Sequence, residues 1–252
     1  MNIVLIIPAR YKSSRFPGKP LTIIKGKSMI SRVYNQCLKA ISKDSIYIAT
    51  EDKRIADHCK ENNMQYLMTS EECLTGTDRL CEVSKLVDAD YYINIQGDEP
   101  LFNPIDIKNI IQELSREKTL YDVYCGYCSI DSQDTFFSFN MPKVIFNKNK
   151  ELIYISRAPI PSNKKNDFRK GFRQVCGYAF SKKSLEIFDI KYKTYFESIE
   201  DIELLRFLEL GVRVKMVEMS KESIPVDVKE DIEKVLFALK GVTITSDVVN
   251  DL

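Results

Sequence analysis

The chain has 252 residues, 44% of them hydrophobic, with 37 Lys and Arg against 36 Asp and Glu, seven cysteines and a single histidine. A formal charge of +1 offers no global field for nucleic acid or an anionic membrane, and no run nears the roughly 20 apolar residues of a membrane span or resembles a signal peptide. A cytoplasmic α/β chain with a sizeable core is expected, and its chemistry must rest on carboxylates, cations and metal, because a His-rich metal site or a Ser-His-Asp triad would depend on His58 alone.

The chain opens on Ile3–Ile7, an apolar run without polar alternation, which predicts a strand covered on both faces in a parallel sheet. Ligands of such sheets sit beyond the C-terminal ends of the strands. There the chain carries Pro8, which ends ladder pairing, then Arg10, Lys12, Arg15, Gly18 and Lys19. Cations crowded on one short loop repel one another unless solvated or neutralised, so two readings stand: a solvated basic turn, or a cradle for an anion such as a triphosphate. The loop is not a Walker A motif, and G-x-G-x-x-G is absent too. Ser28–Ile41 places Met29, Ile30, Val33, Tyr34, Cys37, Leu38 and Ile41 on one face of a predicted helix. SIYIAT follows as a strand, Arg54–Asn62 as a helix that leaves His58 at the surface, Gln65–Met68 as a short strand, Asp78–Val87 as a helix, and YYINIQ as another buried strand. This βαβ repetition predicts a mainly parallel sheet flanked by helices.

INIQGDEPL, Ile93–Leu101, brings Asp98 and Glu99 to a strand's C-terminal edge after the small Gly97. A carboxylate there is either turn chemistry or, beside a cation-rich loop on the same edge, a ligand for Mg²⁺ carrying nucleotide phosphates. After Lys118 the segments YDVYCGYCSI, PKVIF, LIYIS and FRQVCGYAF predict a mixed extension of the sheet, a smaller strand-rich lobe within residues 121–180. Cys125 and Cys128 lie on one of these strands without a second pair, which makes them core thiols rather than zinc or redox ligands. Pro161–Gly171 reads as a charged loop. Helix Ser198–Leu210, strand Val212–Met219 and helix Val228–Leu239 complete the predicted elements, with Asp227 fitting the N-cap of the last helix. No repeat or linker divides residues 1–252, so one domain is expected.

PARYKSSRFPGKPL at 8–21, TGTDRL at 75–80, QGDEP at 96–100, YISRAPIP at 154–161 and PVD at 225–227 occur in the order seen in the 3-deoxy-manno-octulosonate (Kdo) cytidylyltransferases, which the chain resembles over its whole length. The resemblance implies a nucleotide-diphospho-sugar transferase-like fold and transfer of CMP from CTP to the anomeric hydroxyl of a 2-keto-3-deoxy sugar acid, with release of pyrophosphate. It implies that Arg10, Arg15 and Lys19 hold the triphosphate, that Pro8, Ala9, Gly76, Thr77, Arg79 and Gln96 seat the nucleotide, and that Asp98 and Asp227 ligate Mg²⁺. Arg10, Lys19, Asp98 and Asp227 are then the catalytic set, and no histidine is needed. A homodimer in lipopolysaccharide or capsule synthesis is implied as well.

On the acceptor side the resemblance assigns Arg157 to a substrate carboxylate, and Gln96, Gln174, Tyr178, Glu197, Glu200 and Leu204 to the sugar acid. Two of these depart from the family pattern. Gln174 stands where H-x-G-x-Y has its histidine, and Leu204 replaces the glutamine of E-x-x-E-x-x-E-Q-L-R, in which Glu197, Glu200, Glu203 and Arg206 are kept. A site built to pair a substrate hydroxyl discriminates strongly, so the departures favour a related acceptor, such as an amino-substituted Kdo, or else neutral drift. A third reading is a nucleotide-binding domain without catalysis, against which the intact Lys19, Asp98 and Asp227 speak.

Overall fold

Strands that are apolar on both faces need helices on both sides, and this chain supplies them in alternation. The computed structural model describes residues 1–13, 15–117 and 120–241. In order they form β1 (Ile3–Pro8), a hairpin of β2 (Ile23–Ile24) and β3 (Lys27–Ser28), α1 (Met29–Leu38), β4 (Ile46–Thr50), α2 (Lys53–Glu61), β5 (Tyr66–Met68), α3 (Gly76–Leu86), β6 (Tyr91–Ile95) and α4 (Pro104–Glu117). There follow β7 (Val123–Ile130), α5 (Gln133–Phe137), β8 (Lys143–Phe146), β9 (Leu152–Ser156), β10 (Gly171–Ser181), α6 (Lys182–Phe188), α7 (Tyr195–Glu200), α8 (Leu204–Glu209), β11 (Val214–Glu218) and α9 (Asp231–Gly241).

The main sheet runs β11-β7-β10-β6-β1-β4-β5. β1 pairs in parallel with β4 and β6, and β7 with β11, whereas β10 lies antiparallel between β6 and β7. The sheet is thus mixed and mainly parallel on the β1 side. The strand-rich stretch extends the sheet as a mixed one: β7 and β10 are inner strands of the main sheet, and β8 and β9 are the pair that leaves its path.

Strand periodicity sorts the core into two layers. Leu5, Ile7, Tyr91, Ile93 and Ile95 face α1, α2 and α4, while Val4, Ile6 and Tyr92 face α3, α6 and α8. All seven cysteines are free; Cys125 and Cys128 are buried in the sheet, and burial pushes both thiols up. His58 is half-buried rather than fully at the surface, its Nε2 lying 2.8 Å from Ser28 Oγ, the N-cap of α1.

Helix ends differ from the expectation for local reasons. α3 starts at Gly76, two residues early, because Thr75 and Asp78 form a reciprocal capping box. The predicted Ser198–Leu210 helix is two short helices, parted where Asp201 turns left-handed at φ 50°. α9 starts at Asp231, whose carboxylate accepts the N–H groups of Asp227 and Val228 at 3.0 and 3.1 Å. Asp227 is therefore not the cap that its spacing suggested.

One buried cation ties α8 to α3. Arg206 has no exposed side-chain surface; Nε and Nη2 each donate to the Glu197 carboxylate at 2.7 Å, and Nη1 donates to Asp78 at 3.1 Å. Taking one partner from such a pair leaves an uncompensated charge. Glu197→Ala is expected to lower unfolding stability by about 3 kcal/mol in urea titrations; a loss below about 1 kcal/mol would show that Asp78 alone satisfies the guanidinium.

Candidate active site

β1, β4 and β6 end side by side, and the loops that leave β1 and β6 cross at very short range. A Cβ on Gly97 would lie 2.7 Å from the Pro8 carbonyl oxygen, so only glycine lets the two loops meet there. Gly18, at φ 71°, turns the basic loop into the 3₁₀ segment Lys19–Leu21, against the ring of Tyr11. Beyond the strand ends lies a cavity of about 270 Å³.

Pro8, Ala9, Arg10, Ser13, Arg15 and Lys19 form one wall of this cavity. Thr75, Gly76 and Arg79, from the start of α3, form a second, and Gln96, Gly97 and Asp98 form the floor. A Cβ on Gly76 would meet Gln96 Nε2 at 3.4 Å and Pro8 Cγ at 3.6 Å, which shows how tightly these three segments converge. The far wall is Lys193, Glu197, Asp201, Ile202 and Glu203, and Asp227 closes the rim.

The basic loop is neutralised by the chain's own carboxylates. Lys19 Nζ donates to Asp98 Oδ2 at 2.6 Å and to the Val226 carbonyl at 2.8 Å. Arg15 lies 3.2 Å from Asp227 Oδ1, and Lys12 pairs with Glu71 at 2.7 Å, away from the cavity. The backbone N–H of Val226 donates to the Asp98 carbonyl at 2.9 Å, so the segments bearing Asp98 and Asp227 are stitched together. Next to Asp98, Glu99 is buried with Oε2 unpartnered; burial first, then the Asp98 charge, pushes it up to about 8.

Asp98 and Asp227 suit a hard divalent cation. Both offer carboxylate oxygen to one cavity, and each is matched by a side-chain cation. Among the described residues no group of three or more His, Cys, Asp or Glu is placed to hold a metal ion. Mg²⁺ fits such a sparse donor set, because it keeps waters and takes phosphate oxygens beside one or two carboxylates.

Several expected site residues are held by partners within the chain. Thr77 is buried, its N–H donating to Glu203 Oε2 at 3.0 Å and its hydroxyl to the same oxygen. Arg79 lines the cavity, yet its guanidinium lies 2.9 Å from Glu51. Arg157 is spent on backbone: Nε donates to the Glu200 carbonyl at 2.5 Å, Nη1 to Phe139 and Nη2 to Asp201, both at 3.1 Å. Glu200 in turn accepts from Ser156 Oγ at 2.6 Å and from the Arg157 N–H at 2.8 Å.

Leu204 is buried in the core layer of α3, α6 and α8, because the first turn of α8 directs it inward. Gln174 and Tyr178 do not line the cavity: Gln174 Nε2 donates to Tyr178 Oη at 3.0 Å, and burial pushes the Tyr178 hydroxyl well above its ordinary value. Glu203 lines the cavity, and burial raises its carboxyl while the Thr77 donors oppose the shift. Sequence reasoning missed Ser13, Lys193 and Asp201 on the cavity wall. Of these, Lys193 and Asp201 pair at 2.6 Å, and Asp201 is a variable position inside the E-x-x-E-x-x-E-Q-L-R stretch.

Residues 4–222 match the family described as cytidylyltransferase. The 3-deoxy-manno-octulosonate cytidylyltransferase of Protochlamydia amoebophila is 38% identical over 241 residues, covering 93% of each chain. The 8-amino-3,8-dideoxy-manno-octulosonate cytidylyltransferase of a Shewanella species is 37% identical over 238 residues, covering 93% of this chain and 97% of its own. Among solved structures, CMP:2-keto-3-deoxy-manno-octonic acid synthetase complexed with CTP superposes with a TM-score of 0.89 at 32% identity, over 95% of this chain and 99% of that one. A glucose-1-phosphate thymidylyltransferase from Bacillus anthracis, with a TM-score of 0.68 at 16% identity over 96% and 97% of the two chains, shares the fold. Family match, relatives and fold agree with the cleft's cations and carboxylates, and the chain belongs to the cytidylyltransferase family.

Proposed function

We propose that this chain transfers CMP from CTP to the anomeric hydroxyl of 3-deoxy-manno-octulosonate and releases pyrophosphate. The observation that carries the reading is the pairing of Lys19 with Asp98 and Arg15 with Asp227 at one rim, held by the Val226–Asp98 backbone bond. Lys19 and Arg15 carry the charge that the phosphates of a nucleoside triphosphate need, and Asp98 and Asp227 are the residues that would hold its Mg²⁺. When bound, the ion supplies Lewis-acid stabilisation of the alkoxide and of the phosphoryl charge. Arg10, Arg15 and Lys19 orient the triphosphate and neutralise charge on the departing pyrophosphate. Pro8, Ala9, Gly76 and Gln96 border the nucleotide, and the acceptor lies against the 193–203 wall with Tyr178 and Gln174 behind it.

A second acceptor, the 8-amino analogue, is favoured by the nearly equal identity to the Shewanella enzyme. Pyrophosphate release with CTP and Mg²⁺ across a panel of 2-keto acids is expected to be fastest with Kdo. Preference for the 8-amino acid would install the second reading, and silence with every acceptor would refute both.

The paired charges have their own signature. Asp227→Asn frees Arg15, so CTP binding in EDTA is expected to tighten about two- to fivefold, a modest gain because the pair is exposed. Asp98→Asn is expected to lower turnover with Mg²⁺ by about 10²-fold or more. Unchanged metal-free affinity and near-normal turnover would remove both residues from the site.

The assembly we propose is a homodimer, in the cytoplasm, serving lipopolysaccharide or capsule synthesis. Phe139, Ile153 of β9, and Tyr195, Phe196 and Ile199 at α7 are all exposed, and Tyr154 packs edge-on to Phe196 at 6.3 Å. Exposed apolar patches mark association surfaces. Sedimentation is expected to give a dimer that Ile199→Glu converts to monomer; a dimer unaffected by the substitution would move the interface elsewhere.

A further inference from the structure

Glu51, just beyond β4, belongs to none of the motifs that mark the cleft, and its side chain is only 7% exposed. Its Oε1 accepts the backbone N–H of Tyr11 at 3.0 Å, and its Oε2 lies 2.9 Å from Arg79 Nη2. Tyr11 is the residue after Arg10, at the root of the basic loop. Arg79, in the first turn of α3, is held further by Thr69 Oγ1 and, at 3.4 Å, by the Ser70 carbonyl. One carboxylate therefore fastens the two walls on either side of Gln96. Glu51 itself does not line the cavity, and none of its hydrogen bonds or ion pairs reaches the 193–203 wall.

We propose that Glu51 is the positioning residue of the nucleotide half of the cleft: it sets the basic loop and α3 at the separation that lets Arg10, Arg15 and Lys19 meet one triphosphate. The proposal rests on the reading of this cleft as a CTP site. Without Glu51 the Tyr11 N–H loses its acceptor, and the Arg79 guanidinium, 5% exposed, loses its counter-charge. The loop then samples several placements, and binding that depends on convergent cations weakens. The acceptor wall keeps its geometry, because Arg206 on Glu197 and Arg157 on backbone carbonyls hold it and α3 stays tied to it through Asp78 and Thr77.

Glu51→Gln keeps an acceptor for Tyr11 but removes the charge facing Arg79; Glu51→Ala removes both. Calorimetric titration with CTP and Mg²⁺ is expected to show dissociation constants raised about threefold for the first and about tenfold for the second. In steady-state assays the KM for the sugar acid should stay within about twofold. Should the alanine variant fail to fold, the isosteric glutamine variant carries the test. CTP binding by Glu51→Gln equal to wild type, or acceptor KM rising in step with that for CTP, overturns the proposal. Wild-type protein that does not bind CTP overturns the reading of the cleft as well, which separates the two failures.

Discussion

A single backbone hydrogen bond, from the Val226 N–H to the Asp98 carbonyl at 2.9 Å, is the constraint on which the cleft depends. It brings a turn from the C-terminal part of the chain onto the end of β6 and sets Asp227 beside Asp98. Lys19 reinforces the junction by donating to both segments, to the Asp98 carboxylate and the Val226 carbonyl. Because that ammonium is mostly buried, its interactions there are less screened by water than those of the exposed Arg15 and Asp227. The junction is strong at its inner pair and loose at its outer one, which suits a site whose charges must trade partners when an anion enters.

Around this junction the sheet supplies rigidity and the connections supply chemistry. β1 and β6 are covered by helices on both faces, so their C-terminal ends are fixed, and Gly97 lets the loops that leave them touch. The opposite wall rests on the end of β9, off the path of the main sheet. It is held by side chains: Arg206 on Glu197 and Asp78, Glu200 on Ser156 and the Arg157 N–H, and Arg157 on three carbonyls. Glu197, Glu200 and Arg157 thus form a frame that presents Lys193, Asp201 and Glu203 to the cavity.

Sequence periodicity made the nucleotide half legible because its parts are local. An apolar strand followed at once by cations, and another followed by Gly-Asp-Glu-Pro, show both the sheet edge and the residues on it. The acceptor half was less legible because its geometry is made at a distance. A guanidinium at position 157 reads as a free cation until Glu200, Asp201 and Phe139 bring their carbonyls to it. Leu204 reads as an altered polar contact until the break at Asp201 turns α8 and sends it into the core. The capping role suggested for Asp227 passes to Asp231, since both fit the same spacing and the fold selects one. Nor does strand periodicity reveal that β10 runs antiparallel between β6 and β7, because pairing partners leave no trace in a single strand's alternation.

The central claim is that Asp98 and Asp227 exchange their side-chain cations for a divalent ion when a nucleoside triphosphate arrives. Electron paramagnetic resonance of Mn²⁺ titrated into the chain, with and without CTP, tests it directly. Weak Mn²⁺ binding alone, marked strengthening with CTP, and loss of that strengthening when both aspartates are replaced by asparagine are expected. Mn²⁺ that binds equally well without CTP, or is still recruited by CTP after both carboxylates are gone, would contradict it.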